Sequence, residues 1–503
     1  MAQWDMKKGV VFMKTRIANG LGVLSTLLLL TNCSSGYKAE SSNGSESALD
    51  YGISATTTPA APPKKKPKQK PTISNPEEPT PTPTTPSVDW TSETPFSKVA
   101  EMLPDLARNA ELFQIGDINV GSLLSDKNQD VVVTEPDLGR VIVFGGCPDC
   151  KLLAVFDGLA HPVSAAIGPC GTTRTNGVLI ADRGSLSGDF PDGKIICMEQ
   201  YQQGKFSPKV LADKLNNLSA LKMADFNGDG CPDLVATTAH TLEWYKNDCS
   251  GNYTENAIEN DSDATFIDTG DLNNDSYTDF VTMSADGKVD RFLNTGNGNF
   301  YKDTVFPGKD RCSGPSSVKI YDPYGDGRKA ILKTNGLIFD QTDNLTDWGL
   351  RVARNSPWSF PGLAQSDCNP FDAERRHGLY IFESDGHNGF NKERKLADLY
   401  GASSIALLDL NGDKHTDIVA GGSRNPKADP TDINPHTLVW LNNAGDGKFE
   451  PQMLGWPGSS AYQVVPAYFH GLDYPSLLIS SYEGSHHDNN NCYLGHFSLK
   501  GSY

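Results

Sequence analysis

The chain has 503 residues, with 62 acidic against 44 basic side chains and a formal net charge of −18. Hydrophobic residues make up only 37%, while Gly (48) and Pro (32) are plentiful, which excludes a helical bundle and favours many short strands joined by turns. The negative balance excludes nucleic acid as a partner and suits acidic loops that hold a hard cation.

Residues 1–32 read as an export signal. Lys14 and Arg16 precede an apolar run from Leu21 to Leu30 that is too short to span a bilayer. The run ends at Leu30-Thr31-Asn32-Cys33, which resembles the bacterial lipoprotein box. The resemblance implies that Cys33 carries lipid and becomes the mature N-terminus, with the membrane as a partner through that anchor. Ser34 after the cysteine resembles the outer-membrane sorting pattern, so the expected location is the bacterial cell envelope. A plain secretory signal or an uncleaved anchor is the alternative. Residues 33–95 follow, rich in Ser, Thr, Pro and Lys, with Lys64, Lys65, Lys66, Lys68 and Lys70 clustered. Such a composition cannot bury enough surface to offset its ordering entropy, so a disordered tether is expected.

Export permits disulfides. The mature chain has cysteines at 147, 150, 170, 197, 231, 249, 312, 368 and 492 besides Cys33. Cys147-Pro-Asp-Cys150 has no βαβ context for redox work and no second pair for zinc, so a local disulfide is expected.

Residues 96–503 are organised by a repeat. Asp225-Phe-Asn-Gly-Asp-Gly-Cys-Pro-Asp233, Gly270-Asp-Leu-Asn-Asn-Asp-Ser-Tyr-Thr-Asp279 and Leu408-Asp-Leu-Asn-Gly-Asp-Lys-His-Thr-Asp417 share one frame. Oxygen donors fall at loop positions 1, 3, 5 and 9: Asp225, Asn227, Asp229, Asp233; Asp271, Asn273, Asp275, Asp279; Asp409, Asn411, Asp413, Asp417. A fourth copy with a longer loop is read as Asp117, Asn119, Asp126 and Asp130, and a fifth keeps only Asp322 and Asp326. Calcium takes six to eight oxygens, and alternate residues of a tight loop can aim them inward, so Ca2+ is the expected cofactor. An EF-hand is excluded, because position 12 is Ala236, Thr282 or Ala420 rather than Glu, and strand-like runs flank each loop. A Gly-aromatic turn also recurs, at Gly204/Phe206, Gly251/Tyr253, Gly298/Phe300, Gly389/Phe390 and Gly447/Phe449. Four antiparallel strands in roughly 45–60 residues is the arithmetic of a propeller blade.

These loops and turns resemble the FG-GAP/VCBS repeats of integrin-α-type β-propellers. The expected fold is all-β: a seven-bladed β-propeller with an insertion at 336–376 in the fifth blade. An eighth blade near Asp367-Cys-Asn369 is the alternative. The last blade runs short of chain, so residues near 96–101 are expected to pair with it and close the ring. Cys231 and Cys249 flank adjacent strands of one blade and are expected to bond.

The insertion carries Trp348, Arg351 and Trp358, an aromatic and cationic set that suits a glycan or protein ligand surface. His486 and His487 are adjacent, which in a strand points them to opposite faces and argues against a shared metal. Neither HExxH nor GxSxG occurs, so no catalytic residue is assigned. The expected role is a surface-anchored, calcium-stabilised, adhesion-like binding propeller; a polysaccharide lyase or a periplasmic scaffold are the rival readings.

Overall fold

A computed structural model describes residues 115–498, apart from segments 125–126, 148–149, 173–174, 186–190, 285, 309–314, 337–376, 388, 424–436, 455–459, 470–474 and 483–491. The lipidation residue Cys33, the tether, the pairing expected of residues 96–101, Asp126, Trp348, Arg351, Trp358, His486 and His487 all lie outside the described residues.

The described chain is a succession of antiparallel sheets, each built from consecutive strands. The first holds β1 (Ile118–Gly121), β2 (Gln129–Glu135), β3 (Arg140–Cys147) and β4 (Lys151–Phe156). The second holds β5 (Pro162–Pro169), β6 (Asn176–Asp182), β7 (Gly193–Gln202) and β8 (Lys205–Leu215). The third holds β9 (Ala220–Ala224), β10 (Asp233–Thr237), β11 (Thr241–Asn247) and β12 (Tyr253–Asn260). The fourth holds β13 (Ala264–Gly270), β14 (Asp279–Ser284), β15 (Val289–Asn294) and β16 (Phe300–Phe306). The fifth holds β17 (Pro315–Tyr321), β18 (Ala330–Asn335), β19 (Gly378–Glu383) and β20 (Arg394–Ala397). The sixth holds β21 (Ser404–Leu408), β22 (Asp417–Gly421), β23 (Leu438–Asn443) and β24 (Phe449–Leu454). The last has three strands, β25 (Gln463–Ala467), β26 (Ser476–Tyr482) and β27 (Cys492–Ser498).

The first strand of each sheet contacts the first strand of the next, from β1 round to β25, and β25 contacts β1. This is a β-propeller with six complete blades and a three-stranded sheet between the sixth and the first. The three-stranded sheet stands where a last blade short of chain is expected; the residues near 96–101 expected to complete it lie outside the described residues. The long interval between the fifth and sixth acidic loops is a connection within the fifth blade, since β18 pairs directly with β19 across residues 336–377.

Second strands are buried on both faces, which is why they read as unbroken apolar runs. In β10, Leu234 and Ala236 join a cluster with Leu179 and Ile195 of the second blade, whereas Val235 faces Phe280 and Phe292 of the fourth. The last sheet is held the same way: Ala467, Phe469 and Leu478 join Ile118, Val133 and Phe144 of the first blade.

The Gly-aromatic turns set the spacing between blades. Gly298 has φ 70°, and a Cβ there would lie 2.1 Å from Trp244 of the preceding blade. Only glycine adopts this backbone cheaply and leaves room for the indole. Two residues on, Phe300 packs edge-on against Phe226 of the preceding blade, with ring centroids 5.7 Å apart.

Side-chain amides hold the seam between the last sheet and the first. Gln463 Oε1 accepts the Ile118 N–H at 2.9 Å, and its Nε2 donates to the Gly116 carbonyl at 2.7 Å. Gln129 Oε1 accepts the Tyr468 N–H at 2.6 Å. Cys147 is bonded to Cys150, as the spacing predicts, and Cys231 to Cys249, as the blade layout predicts; Cys170 with Cys197 is a third disulfide that neither singles out.

Candidate functional site

Each acidic loop joins the first strand of a blade to its second, so the loops share one face of the ring. Adjacent loops touch there: Asn274 Nδ2 donates to the Gly327 carbonyl at 2.8 Å.

Positions 1, 3 and 5 fold back over the loop backbone. Asp225 Oδ1 accepts the Gly228 N–H at 2.7 Å and Oδ2 the Gly230 N–H at 2.8 Å. Asn227 Oδ1 accepts from Asp229 N–H, and Asp229 Oδ1 from Cys231 N–H, both at 2.9 Å. The Asp409, Asn411, Asp413 loop repeats these bonds, ending on the His415 N–H. In the Asp271, Asn273, Asp275 loop, Asp271 reaches the Asp275 and Ser276 amides instead. Every oxygen keeps a lone pair, and these side chains are half-buried or exposed.

Position 9 does something else. Asp233, Asp279 and Asp417 are fully buried. Asp279 Oδ2 accepts the Leu272 N–H at 2.8 Å and Oδ1 the Asn294 N–H at 2.7 Å. Asp417 does the same with Leu410 and Asn443, and Asp233 with Phe226 and Asn247. The position-9 carboxylate therefore clasps its loop to the end of the third strand. Among the described residues, the first, fifth and ninth residues of a loop do not bring three acidic oxygens within 4.8 Å of one another. Position 9 differs from the other three in its full burial and in reaching the third strand.

Sequence reasoning missed the partner of this clasp. Asn247, Asn294 and Asn443 each end a third strand. Their Nδ2 groups donate to the position-8 carbonyls of Pro232, Thr278 and Thr416, and their Oδ1 atoms accept from Cys249, Gly296 and Gly445. The available signal is an Asn four residues before the Gly-aromatic turns at Gly251, Gly298 and Gly447.

The first-blade assignment is corrected. Asp117 and Asn119 belong to the innermost strand region, not to a loop. Asp117 Oδ2 accepts from Ser164 Oγ at 2.7 Å, and Asn119 Oδ1 from the Ile167 N–H at 3.2 Å, both in the second blade. Asp130 is a true position 9: it takes the N–H groups of Leu123, Leu124 and Gly146. Aligning on Asp130 puts Ser122, not Asp117, at position 1, and the loop then has the same length as the others; the longer loop expected from the sequence came from starting it at Asp117.

Burial, and then the loop's own acids, raise the clasping carboxyls. Asp279 and Asp417 are pushed up to about 6; Asp275 and Asp271 add to burial at the first, and Asp413 at the second. The eroded fifth-blade loop shows what relieves this crowding. Lys329 Nζ lies 3.3 Å from Asp322 Oδ2, and the Arg328 guanidinium lies 2.8 Å from Asp326. That loop has lost two donors and supplies its own cations. Positions 1, 3 and 5 of the intact loops carry only hard oxygens, a donor set that fits a hard divalent ion. Among the described residues, one group of acidic and sulfur ligands also lies within 4.8 Å, Asp229 with Cys231 and Cys249; the two sulfurs are joined to each other.

The FG-GAP-like repeat family matches residues 225–282, the third-blade loop through the fourth. No curated protein matches. Among solved structures, an Agrocybe aegerita lectin described as recognising non-reducing terminal N-acetylglucosamine is 14% identical, with a TM-score of 0.44, covering 66% of this chain and 78% of its own. BBS1N in complex with ARL6DN, soaked with lead, is 9% identical with a TM-score of 0.47, covering 78% of this chain and 96% of its own. The same complex soaked with mercury gives 8% identity, a TM-score of 0.47, and 78% and 94% coverage. The chain is a β-propeller that carries an FG-GAP-like repeat.

Proposed function

We propose that this protein is a calcium-stabilised propeller that presents a rigid face to a macromolecular partner, a glycan or a protein, at the bacterial cell envelope. Asp225, Asn227 and Asp229, Asp271, Asn273 and Asp275, and Asp409, Asn411 and Asp413 would hold the ions. The ion's part is to neutralise clustered carboxylates and stiffen the loop. The observation that carries this is the fifth-blade loop, which has lost two oxygen donors and pairs its remaining acids Asp322 and Asp326 with Lys329 and Arg328, where the intact loops have Cys231 and Pro232, Tyr277 and Thr278, or His415 and Thr416.

The same face carries exposed aromatic surface. Tyr277 is 44% and Tyr468 55% exposed, one in the fourth-blade acidic loop and one in the matching segment of the last sheet. Aromatic faces stack on sugars and anchor protein contacts. The three-stranded sheet counts as a seventh blade, completed by residues near 96–101, and the N-terminal segment tethers the ring through lipid on Cys33.

Titrating calcium into chelator-treated protein should raise Tm in a saturable way, while magnesium does so weakly. Retention on a glycan array or by an envelope extract should depend on that calcium and fall in the double variant Tyr277→Ala, Tyr468→Ala. If Tm is indifferent to calcium and chelator, the stabilisation reading fails. Unsaturated products from uronate-containing glycans would replace the binding role with a lyase.

A further inference from the structure

Lys333 ends the apolar run Ala330-Ile331-Leu332 of β18, and among the described residues it is the only fully buried lysine. It shares a face with Ile331, which packs against Val281, Met283 and Val289 of the fourth blade. Its Nζ stands 4.2 Å from the ring centroid of Phe306 in that blade, and 5.5 Å and 5.7 Å from those of Phe382 and Tyr380 in its own. The β14–β15 turn closes over it, since a Cβ at Gly287 would lie 4.0 Å from the Nζ.

Glu393, just before β20, reaches into this aromatic enclosure. Its Oε1 is 2.5 Å from Lys333 Nζ, with the lysine side chain 1% exposed and the glutamate 23%. The contact lacks hydrogen-bond geometry, and neither atom has another hydrogen-bond partner among the described residues. Lys395, the neighbouring cation over Tyr380, is paired with Asp398 instead. Burial pushes the Lys333 ammonium below its ordinary range, against the pull of Glu393 and Asp286. A buried ion pair without hydrogen bonds recovers little of its desolvation cost. A desolvated lysine is also one activated as a nucleophile.

We propose that Lys333 and Glu393 are joined by a self-formed side-chain amide, an isopeptide bond that ties β18 to the start of β20 across β19. Lys333 Nζ attacks Glu393 Cδ, a C–N bond forms and one carboxyl C–O bond breaks. The oxygen leaves as water with the two protons that the ammonium gives up. Ammonium plus carboxylate thus becomes amide plus water, with no net proton, oxidant or co-reactant. Holding the two groups together makes the condensation unimolecular. The product replaces two buried charges with one neutral group, which removes their desolvation cost. The bond clamps the fifth blade on either side of its connection across residues 336–377, and it stands whether or not the acidic loops hold calcium.

The test is a peptide map of the purified full chain, reduced, denatured and digested with trypsin. With the bond in place trypsin cannot cut after Lys333. The peptide of residues 330–351 then carries Glu393-Arg394 on its lysine, and is lighter than the two peptides together by one water, about 18 Da. Glu393→Ala should restore cleavage after Lys333. Should that variant fold poorly, the map of the wild type decides by itself. Complete cleavage after Lys333 in the wild type, with no linked peptide, would leave an ion pair only and overturn the bond.

Discussion

At the scale of single residues, one Asp per repeat separates two jobs that look alike in the sequence. The alternation of oxygens at positions 1, 3, 5 and 9 was legible, but it could not show that the ninth carboxylate turns inward to buried amides while the others stay at the surface. Asp279→Ala strips acceptors from the buried Leu272 and Asn294 N–H groups and should cost about 2–4 kcal/mol, read from urea unfolding. The pH dependence has a definite sign. The Asp279 and Asp417 carboxyls rise to about 6 in the fold, chiefly by burial, from 3.8 when exposed. The native state therefore binds more protons than the unfolded chain between these values, and stability falls as pH rises from about 4 to about 6. In chelated protein Tm should drop across that window, and Asp279→Asn should flatten part of the drop. A flat profile in the chelated wild type would contradict the inward placement of the clasp.

At the scale of the element, the repeat solves one packing problem in several ways. The seventh loop residue lies over the turn between the third and fourth strands. In the fourth blade Tyr277 covers Gly296, in the sixth His415 covers Gly445, and in the third the same two positions are Cys231 and Cys249. The disulfide is thus a covalent form of a contact that the other blades make with a ring over a glycine. Cys231→Ala with Cys249→Ala should cost about 2–3 kcal/mol of stability, seen as a lower urea midpoint without loss of the fold. Glycines of one backbone class should differ sharply in substitution. Gly228 and Gly298 both have positive φ, but nothing lies within 4 Å of a Cβ at 228, whereas Trp244 blocks one at 298. Gly228→Ala should cost about 1–2 kcal/mol from the backbone alone, and Gly298→Ala clearly more, from backbone and overlap together. The Gly-aromatic signature was visible in the sequence; the indole that makes it necessary comes from the preceding blade, which no local pattern reveals.

At the scale of the whole molecule, strand periodicity, turn spacing and repeat length carried most of the architecture, because each blade is nearly local in sequence. The seam is the exception. Gln463 and Gly116 are 347 positions apart, and nothing in their neighbourhoods marks them as partners. The Gln463 amide offers one donor and one acceptor to the edge of β1, as a neighbouring strand's peptide would. Gln463→Ala should speed hydrogen exchange at the Ile118 amide and lower stability by about 1–3 kcal/mol. Gln463→Glu should be no better, since a carboxylate cannot donate to the Gly116 carbonyl. Elsewhere the connection from blade to blade is covalent, because the chain itself runs on. Across the seam the described links are side-chain amides and an apolar cluster. A mechanical load drawn between residues 115 and 498, the ends of the described ring, is therefore opposed across the seam by these few short-range links. In a force spectrometer the protein should yield there and then peel apart blade by blade, instead of rupturing in a single event.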